Sequence, residues 1–349
     1  MVAGCGILVG ISYLMLDILS NMVVVPQTPV REVEDQGEMV IALPQSNLSS
    51  MQVSAGGRFL AFIHKNGQGS ENTLQVRDIK QNWNQVFSQA VRGQQLAWLG
   101  SEDPLLYEDR GDIMALNLAT GISRNLTESA EYDTSPLPSP NGTVVMWTRM
   151  PVETGGGAGE FWLMEADGGK KRMLVTAGKM PVWDPSGDTI LARRDIVISP
   201  DSETYRYFLE TVRKDGGGWN HYAECDREPL YVWWPGDSFF YIAPYETGGE
   251  GNVKGVWFRV DSPTGVKRVA STTSLAEISY YRFYASRKGQ KLAYVGGNGL
   301  EYLDMQERVI SRFRGTDARL PLAWDEASGY LYYAGEAGIY RVSLQGGES

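Results

Sequence analysis

Cysteine and histidine are scarce in this chain of 349 residues, which contains two of each. Cys5 lies in a hydrophobic N-terminal stretch and Cys225 lies far from it in the sequence, so a disulfide between them is not expected. The scarcity of cysteine excludes a disulfide-dense secreted module. Cys225 is therefore expected to be a small buried or rim side chain.

An excess of basic charge is also absent, because 32 Lys and Arg side chains oppose 42 Asp and Glu side chains and the net charge is −10. Nucleic-acid binding requires a basic surface that replaces counterions, and adhesion of a globular domain to anionic lipid requires one as well. The sequence therefore predicts no nucleic-acid partner and no lipid-binding globular surface.

The motifs of common catalytic and cofactor sites are missing. The chain contains no G-x-S-x-G elbow, H-E-x-x-H, C-x-x-C, Asp-rich calcium loop or P-loop, and no G-x-G-x-x-G opens a helix. His64 follows an apolar strand-like run and is expected to be a residue at a strand end. No catalytic, cofactor-binding or metal-binding residue is predicted, and the protein is predicted not to be an enzyme.

Long hydrophobic runs are absent except for one, from Ile7 to Val25, which carries Asp17 as its only formal charge. Nineteen helical residues span about 28 Å, close to the thickness of a bilayer core, and Pro26 would end the helix. We interpret residues 1–26 as a retained transmembrane anchor. A cleaved signal peptide and a lipoprotein modified at Cys5 are the alternatives. The run lacks a basic flank and a small-x-small cleavage site, and lipidation at Cys5 would need an upstream start.

Two features of this run are candidates for helix contacts. Gly6 and Gly10 form a G-x-x-x-G pair that lets another helix approach closely. Asp17 lies within the apolar stretch, where a charge costs about 2.5–3.5 kcal/mol on insertion scales. Pairing with a neighbouring helix would lower that cost, and an interfacial position of Asp17 in a slightly shifted helix is the alternative.

After residue 50 one sequence pattern recurs: an apolar or Trp-containing pair, a polar turn with Gly, and a β-rich run. Its occurrences lie about 40–50 residues apart, at residues 51–62, 96–107, 137–147, 181–192, 231–243, 282–295 and 321–334. This period is typical of a four-stranded propeller blade. The sequence therefore predicts an all-β fold, a β-propeller of about seven four-stranded blades at residues 51–349, preceded by one transmembrane helix.

Residues 27–50 are interpreted as a linker that also supplies a strand. The last repeat shows only about three strands before the chain ends, and Met39–Leu43 is a plausible missing strand. Joining the two chain ends in one blade would remove open sheet edges. The recurring tryptophans are expected to pack between blades; they are Trp98, Trp183, Trp233 and Trp324.

The S-P-N-G at residues 139–142 and the L-M-E-A-D-G-G at residues 163–169 resemble the repeats of TolB-like propellers, which also occur in prolyl-oligopeptidase-type peptidases. The resemblance covers nearly the whole chain after Ser50. Those peptidases carry catalysis in a separate α/β-hydrolase domain, for which this chain has no room. The resemblance, together with the anchor, implies a single-pass protein of a bacterial inner membrane with its propeller in the periplasm.

Glycine-rich insertions at residues 153–159, 214–219 and 246–255 are candidate partner-contact loops, with solvated loops as the alternative. Gly156, Trp219, His221 and Tyr245 represent them as candidate contact residues.

Three functions fit these observations. The favoured hypothesis is a non-catalytic scaffold or accessory subunit that docks subunits of a larger membrane complex through a propeller face and the single helix. A TolB-like periplasmic protein that binds a peptide or acts as a sensor is the alternative. An enzyme or ligand binder that uses the central channel, such as a glycosidase, lactonase or quinone-cofactor protein, is the third, and no pair of carboxylates is singled out for it.

Overall fold

The computed structural model describes residues 29–43, 46–66, 71–101, 103–150, 159–176, 178–199, 204–233, 239–246, 253–260, 266–274, 284–286, 291–296, 299–304, 306–307 and 309–344. The predicted membrane helix, with Gly6, Gly10 and Asp17, lies outside these residues. Within the described ranges, no helix has the length and apolar character needed to cross a bilayer.

The described residues form strands almost throughout. The N-terminal strands are β1 (Val30–Val33) and β2 (Glu38–Ala42). The first sheet contains β3 (Ser46–Val53), β4 (Phe59–Asn66), β5 (Asn72–Asp78) and β6 (Asn84–Val91), with a 3₁₀ turn at Ile79–Gln81. The second contains β7 (Leu96–Trp98), β8 (Leu105–Asp109), β9 (Asp112–Asn117) and β10 (Ile122–Asn125). The third contains β11 (Tyr132–Pro138), β12 (Val144–Met150), β13 (Glu160–Glu165) and β14 (Arg172–Thr176).

The second half of the chain repeats this plan. The fourth sheet contains β15 (Lys179–Trp183), β16 (Thr189–Ser199), β17 (Thr204–Arg213) and β18 (Asn220–Cys225). The fifth contains β19 (Leu230–Trp233), β20 (Phe239–Glu246), β21 (Val253–Val260) and β22 (Val266–Ser274). The sixth contains β23 (Tyr284–Ala285), β24 (Lys291–Gly296), β25 (Gly299–Asp304) and β26 (Val309–Phe313). The last contains β27 (Arg319–Asp325), β28 (Tyr330–Gly335) and β29 (Gly338–Ser343).

In each sheet the strands that follow one another in sequence form an antiparallel meander, and the first of them lines the centre of the ring. Apolar residues of adjacent sheets meet face to face, so the core lies between blades. Ile63 and Leu74 of the first sheet, for example, belong to one buried cluster with Leu105 and Tyr107 of the second. The second strand of a blade, covered on both faces, is therefore almost wholly buried, as in β8 and β28.

The N-terminal segment closes the ring. The segment that the sequence suggested as the missing strand forms β2, which pairs antiparallel with β29 and supplies the outermost strand of the last sheet. β1 adds in parallel to β26, the outer edge of the preceding sheet. Glu32 accepts hydrogen bonds from Arg314 and Arg312, both at 3.2 Å, and these hold its pKa below the ordinary value. Chain closure therefore rests on backbone pairing at two neighbouring blades.

The prediction of an all-β propeller built from four-stranded blades is confirmed for six of the sheets. Within the described residues, six sheets have four strands and the sheet built on β23–β26 has five. The fifth strand is β1, which the sequence pattern did not reveal because its four residues, Val-Arg-Glu-Val, are mostly exposed.

The polar turn of the repeat has a common hydrogen bond. A Ser or Asp directly after the innermost strand accepts from the backbone N–H five residues later, which fixes the turn into the second strand. The pairs are Ser54 with Phe59 (3.0 Å), Ser139 with Val144 (3.1 Å), Asp184 with Thr189 (3.0 Å) and Ser286 with Lys291 (3.1 Å).

The recurring tryptophans connect adjacent blades. Each lies on an innermost strand and donates its indole N–H to a backbone carbonyl on the innermost strand of the preceding blade. The pairs are Trp98 with Gln52 (3.2 Å), Trp183 with Leu137 (3.0 Å), Trp233 with Val182 (3.0 Å) and Trp324 with Tyr284 (2.6 Å). The prediction that these side chains pack between blades is confirmed.

Candidate functional site

The strand directions define two faces of the ring. The innermost strands begin at the face that carries the connections between second and third strands, which we call the upper face. They end at the face that carries the first turn and the turn between third and fourth strands, which we call the lower face. Residues at equivalent positions of successive blades therefore share a face.

The centre of the ring is a channel with a cavity of about 650 Å³. Its lining comes from the innermost strands and is mainly apolar, with hydroxyl and amide groups from residues such as Ser49, Gln52, Gln95, Ser135 and Thr148. Among the described lining residues there is no acidic, basic or histidine side chain. The described lining can therefore offer hydrogen bonds and apolar contact to a ligand.

Glu108 on β8 is buried beside the channel and joins two blades. One carboxylate oxygen accepts from the backbone N–H groups of Gln94 (3.0 Å) and Gln95 (3.2 Å), at the entry to β7. The other accepts from the Ser135 N–H (2.6 Å) and the Thr134 hydroxyl on β11. With four donors satisfied, this carboxylate is a structural link between the second and third blades.

An ionic cluster centred on the buried Arg193 and Asp195 lies at the channel mouth of the fourth blade. Arg193 donates two hydrogen bonds to Asp195, at 2.7 and 3.1 Å, and another to Glu228. Burial alone lowers the pKa of Arg193, and these hydrogen bonds outweigh it, so its pKa is raised. Lys179 reaches the same Asp195 carboxylate at 2.9 Å. The cluster is neutral overall, which leaves no spare charge for a ligand.

Tyr231 continues this cluster toward the channel. Its hydroxyl lies 2.6 Å from the Met180 carbonyl and 3.1 Å from the Lys179 carbonyl, and burial raises its pKa. A tyrosine held in this way stays protonated at neutral pH and acts as a hydrogen-bond donor within the protein.

The most distinctive feature of the upper face is a β-arm of the fourth blade, formed by residues 194–199 of β16 and 204–206 of β17. β16 has 11 residues, whereas the second strands of the other blades have between 5 and 8. Three consecutive apolar residues on the arm are exposed, Ile196 (37%), Val197 (48%) and Ile198 (51%), and Tyr205 beside them is 39% exposed. Val197 pairs with Tyr205 across the arm.

The predicted contact residues do not meet at one site. Trp219 is exposed in the turn between β17 and β18, on the lower face, and His221 is the second residue of β18. Tyr245 lies in β20, paired with Lys254 of β21 near the upper face. Gly156 lies outside the described residues. Trp219 and Tyr245 therefore belong to opposite faces of the ring.

His221 belongs to a row of side-chain contacts across the fourth blade. Its Nδ1 lies 3.8 Å from the Glu210 carboxylate, which Arg194 already contacts with two hydrogen bonds of 2.9 and 2.6 Å. Its ring also lies 5.4 Å from that of Phe208. These contacts explain the position of His221 by the packing of the sheet.

The other two side chains noted for possible chemistry are buried. His64 lies in β4 with its Nε2 atom 3.1 Å from the Gln75 amide nitrogen. Cys225 is buried at the end of β18, as predicted, and burial, with Asp226 and Glu224 nearby, raises the pKa of its thiol to about 12. Both positions favour structural roles.

Sequence reasoning missed the arm. The signal was present, because residues 189–199 form a strand-like run longer than a blade needs, with Ile-Val-Ile near its end. The repeat at residues 181–192 predicts only an ordinary second strand of a blade at this place. Only the tertiary structure shows that its last residues extend past the neighbouring strands.

No protein-family model matches the chain, and no curated protein matches it in sequence. Among solved structures, an oligogalacturonate lyase in complex with manganese is similar, with a TM-score of 0.66 and 12% identity over 92% of this chain and 98% of that chain. Hydrazine synthase of Kuenenia stuttgartiensis is similar with a TM-score of 0.60 and 12% identity, over 85% of this chain and 95% of that chain. At these identities the similarity shows the fold, and the chain is a β-propeller.

TolB from Acinetobacter baumannii is also similar, with a TM-score of 0.48 and 14% identity over 82% of this chain and 77% of that chain. A TM-score below 0.5 is too low to support an inference about this chain.

The manganese of the lyase prompts a test of the donor groups in this chain. Within the described residues, no three His, Cys, Asp or Glu side chains come together in a way that would hold a metal ion. The described channel lining offers hydroxyl and amide oxygens without imidazole or carboxylate groups. These donors do not fit a transition-metal centre of the usual composition.

Proposed function

We propose that this protein is a non-catalytic propeller that docks a protein partner on its upper face. The observation that carries the proposal is the exposed Ile196-Val197-Ile198 run on the protruding β-arm. Consecutive exposed apolar residues on a soluble surface mark an interaction site, because they gain stability only when a partner removes them from water.

The position of the arm suits docking. In the blades on either side, the second strands end at Met150 and Glu246 and the third strands begin at Glu160 and Val253, all at this face. A rigid ring that carries several such connections side by side is the usual construction of a propeller binding face.

Membrane attachment is part of this proposal. The chain enters the fold at Val30, beside Ile310 at the lower-face end of β26. Four residues, 26–29, follow the predicted helix and reach at most about 14 Å. A retained helix would thus hold the lower rim near a bacterial inner membrane and leave the upper face open to the periplasm. The partner would then be a subunit of a membrane complex with an extramembrane part.

Site-specific photocrosslinking of the full chain in its own cells tests the docking. A photoreactive residue replaces Val197, and the matched control replaces Ile122, an exposed apolar residue at the lower-face end of β10. We expect one stoichiometric protein adduct from position 197, lost in an Ile196→Ser/Ile198→Ser variant. Equal labelling from both positions, or none, would contradict the proposal.

The anchor is tested separately by mild detergent extraction through a C-terminal tag. We expect partner subunits to stay bound to the wild type and to be lost or weakened in Asp17→Leu, because that change removes the carboxyl available for helix pairing. A chain that leaves the membrane with salt or alkali alone would show that residues 7–25 do not anchor it.

A second candidate function is binding of a peptide or small polar ligand in the channel, in the manner of a TolB-like protein. The cavity of about 650 Å³ supports it, since this volume suits a small ligand. Gln52→Ala and Gln95→Ala would weaken such binding while leaving the Val197 crosslink unchanged, and the opposite pattern would exclude the channel.

A further inference from the structure

Among the residues that the structure describes, no strand pairs with the inner edge of β16 from Arg194 to Ser199, and we propose that this edge accepts a β-strand from the partner protein. This inference rests on the proposed docking function and specifies how the partner binds. A strand added here would hydrogen-bond to the arm backbone and lie beside the mouth of the channel.

The strand order explains why residues 194–199 of β16 have no pairing strand on their inner edge among the described residues. β15 pairs with β16 only as far as Lys179, opposite Arg193. To cover the arm, β15 would have to begin several residues earlier, but residues 172–176 already form β14, paired with β13 of the preceding blade. Met180, in the left-handed region at φ +49°, adds an irregularity at this end of β15. Among the described residues, the fourth blade therefore has no further strand for this edge.

The outer part of the arm, residues 196–199, lacks the charged side chains that usually protect a strand edge. Exposed strand edges are usually blocked by charged side chains, proline or bulges. Arg194 and Asp195 carry charges, but these are paired with Glu210 and with Arg193 and Lys179. From Ile196 to Ser199 there is neither charge nor proline.

The dimensions and charge of the edge define the partner segment. The open stretch has six residues, 194–199, which matches a typical strand of about five or six residues. On the other strand of the arm, Arg206 pairs with Glu224 and Asp226, so the arm base offers no basic surface. The fitting partner is an uncharged extended segment with β-branched or aromatic residues at alternate positions.

A partner of a different kind is favoured over a second copy of this chain. Each copy has a net charge of −10, and like charges of this size oppose association of two copies. A heterologous strand whose own domain is less acidic meets no such repulsion.

The test uses the purified full chain and a phage-displayed library of random 12-residue peptides, followed by synthesis of the enriched peptides. We expect alternating apolar sequences whose binding slows hydrogen exchange of the amides of residues 194–199. Val197→Pro, which introduces a residue without an N–H into the edge, should weaken binding at least about tenfold. Val197→Thr, which keeps a β-branched residue and the open edge, should weaken it less than about threefold.

Several outcomes would overturn the inference. Peptides that protect the innermost strands instead of residues 194–199 would place the site in the channel. Equal binding by wild type and Val197→Pro, or no enriched peptide, would rule out strand addition. A dimer of the full chain that dissociates in Val197→Pro would identify a second copy as the occupant. A Val197 crosslink in cells without such protection would leave docking intact and refute only the strand mode.

Discussion

Replacing Glu108 by leucine should destabilise the propeller strongly, because this buried carboxylate links two blades. Leucine has a similar size but accepts no hydrogen bond, so the N–H groups of Gln94, Gln95 and Ser135 and the hydroxyl of Thr134 all lose their acceptor. An unmet buried donor costs about 1–3 kcal/mol. Water reaches the exposed Gln94 and Ser135 and the half-buried Thr134, which lowers the total, and we expect a loss of about 4 kcal/mol.

Urea denaturation followed by tryptophan fluorescence measures this loss, since the chain has ten tryptophans. Glu108→Gln is the informative companion, because the amide keeps one acceptor oxygen and should cost about half as much as leucine. Glu336→Gln, at an exposed position in the turn between β28 and β29, is the matched control and should stay within about 0.5 kcal/mol of wild type.

The reasoning fails if Glu108→Leu lies within about 1 kcal/mol of wild type, or if Glu108→Gln is as destabilising as Glu108→Leu. The first result would show that water replaces the carboxylate without cost. The second would show that the charge itself, and not the number of acceptors, holds the two blades together.

Three further changes test the closure and the interior. Trp183→Phe removes the indole donor to the preceding blade and should cost about 1–3 kcal/mol in urea titrations, whereas the same change at the exposed Trp219 should cost less than about 0.5 kcal/mol. Ile41→Ala should cost about 2–4 kcal/mol because Ile41 is buried in the closing blade, and Met39→Ala, exposed on the same strand, should change the melting temperature little. The raised pKa of Cys225, about 12, means that the unfolded thiol ionises first, so stability falls between about pH 9 and 12. Replacing Cys225 by alanine should reduce that fall, and an equally steep decline in the variant would exclude this thiol as its source.

The repeating parts of the fold could be predicted from the sequence because they follow from local chemistry. The polar turn with glycine and the alternating strand recur at a fixed period, and each unit must bury its faces against its neighbours. The interblade role of Trp183 and its counterparts could be predicted for the same reason, since a large indole at one repeated position has the same neighbours in each blade. β2 could also be predicted, because the last repeat showed only about three strands and an apolar stretch near the N-terminus could supply the fourth.

Other features have no local signal. β1 is a short, mostly exposed strand whose place depends on the free outer edge of β26, which exists only in the assembled ring. Glu108 reads as an ordinary strand residue, and its four donors come from segments up to 27 residues away in sequence. The separation of Trp219 and Tyr245 onto opposite faces is set by which strand connection each occupies, which spacing along the chain does not reveal.

The sequence by itself determined the class of fold, the scarcity of catalytic groups and the acidic charge, because composition and periodic patterning are properties of the chain. Only the tertiary structure decided where the candidate docking surface lies. Ile196, Val197 and Ile198 resemble the core of any strand when read in sequence, and they are exposed because β15 and β18 end before they reach the arm. Exposure of a strand residue depends on the lengths of its neighbours, and those are fixed when the blades assemble.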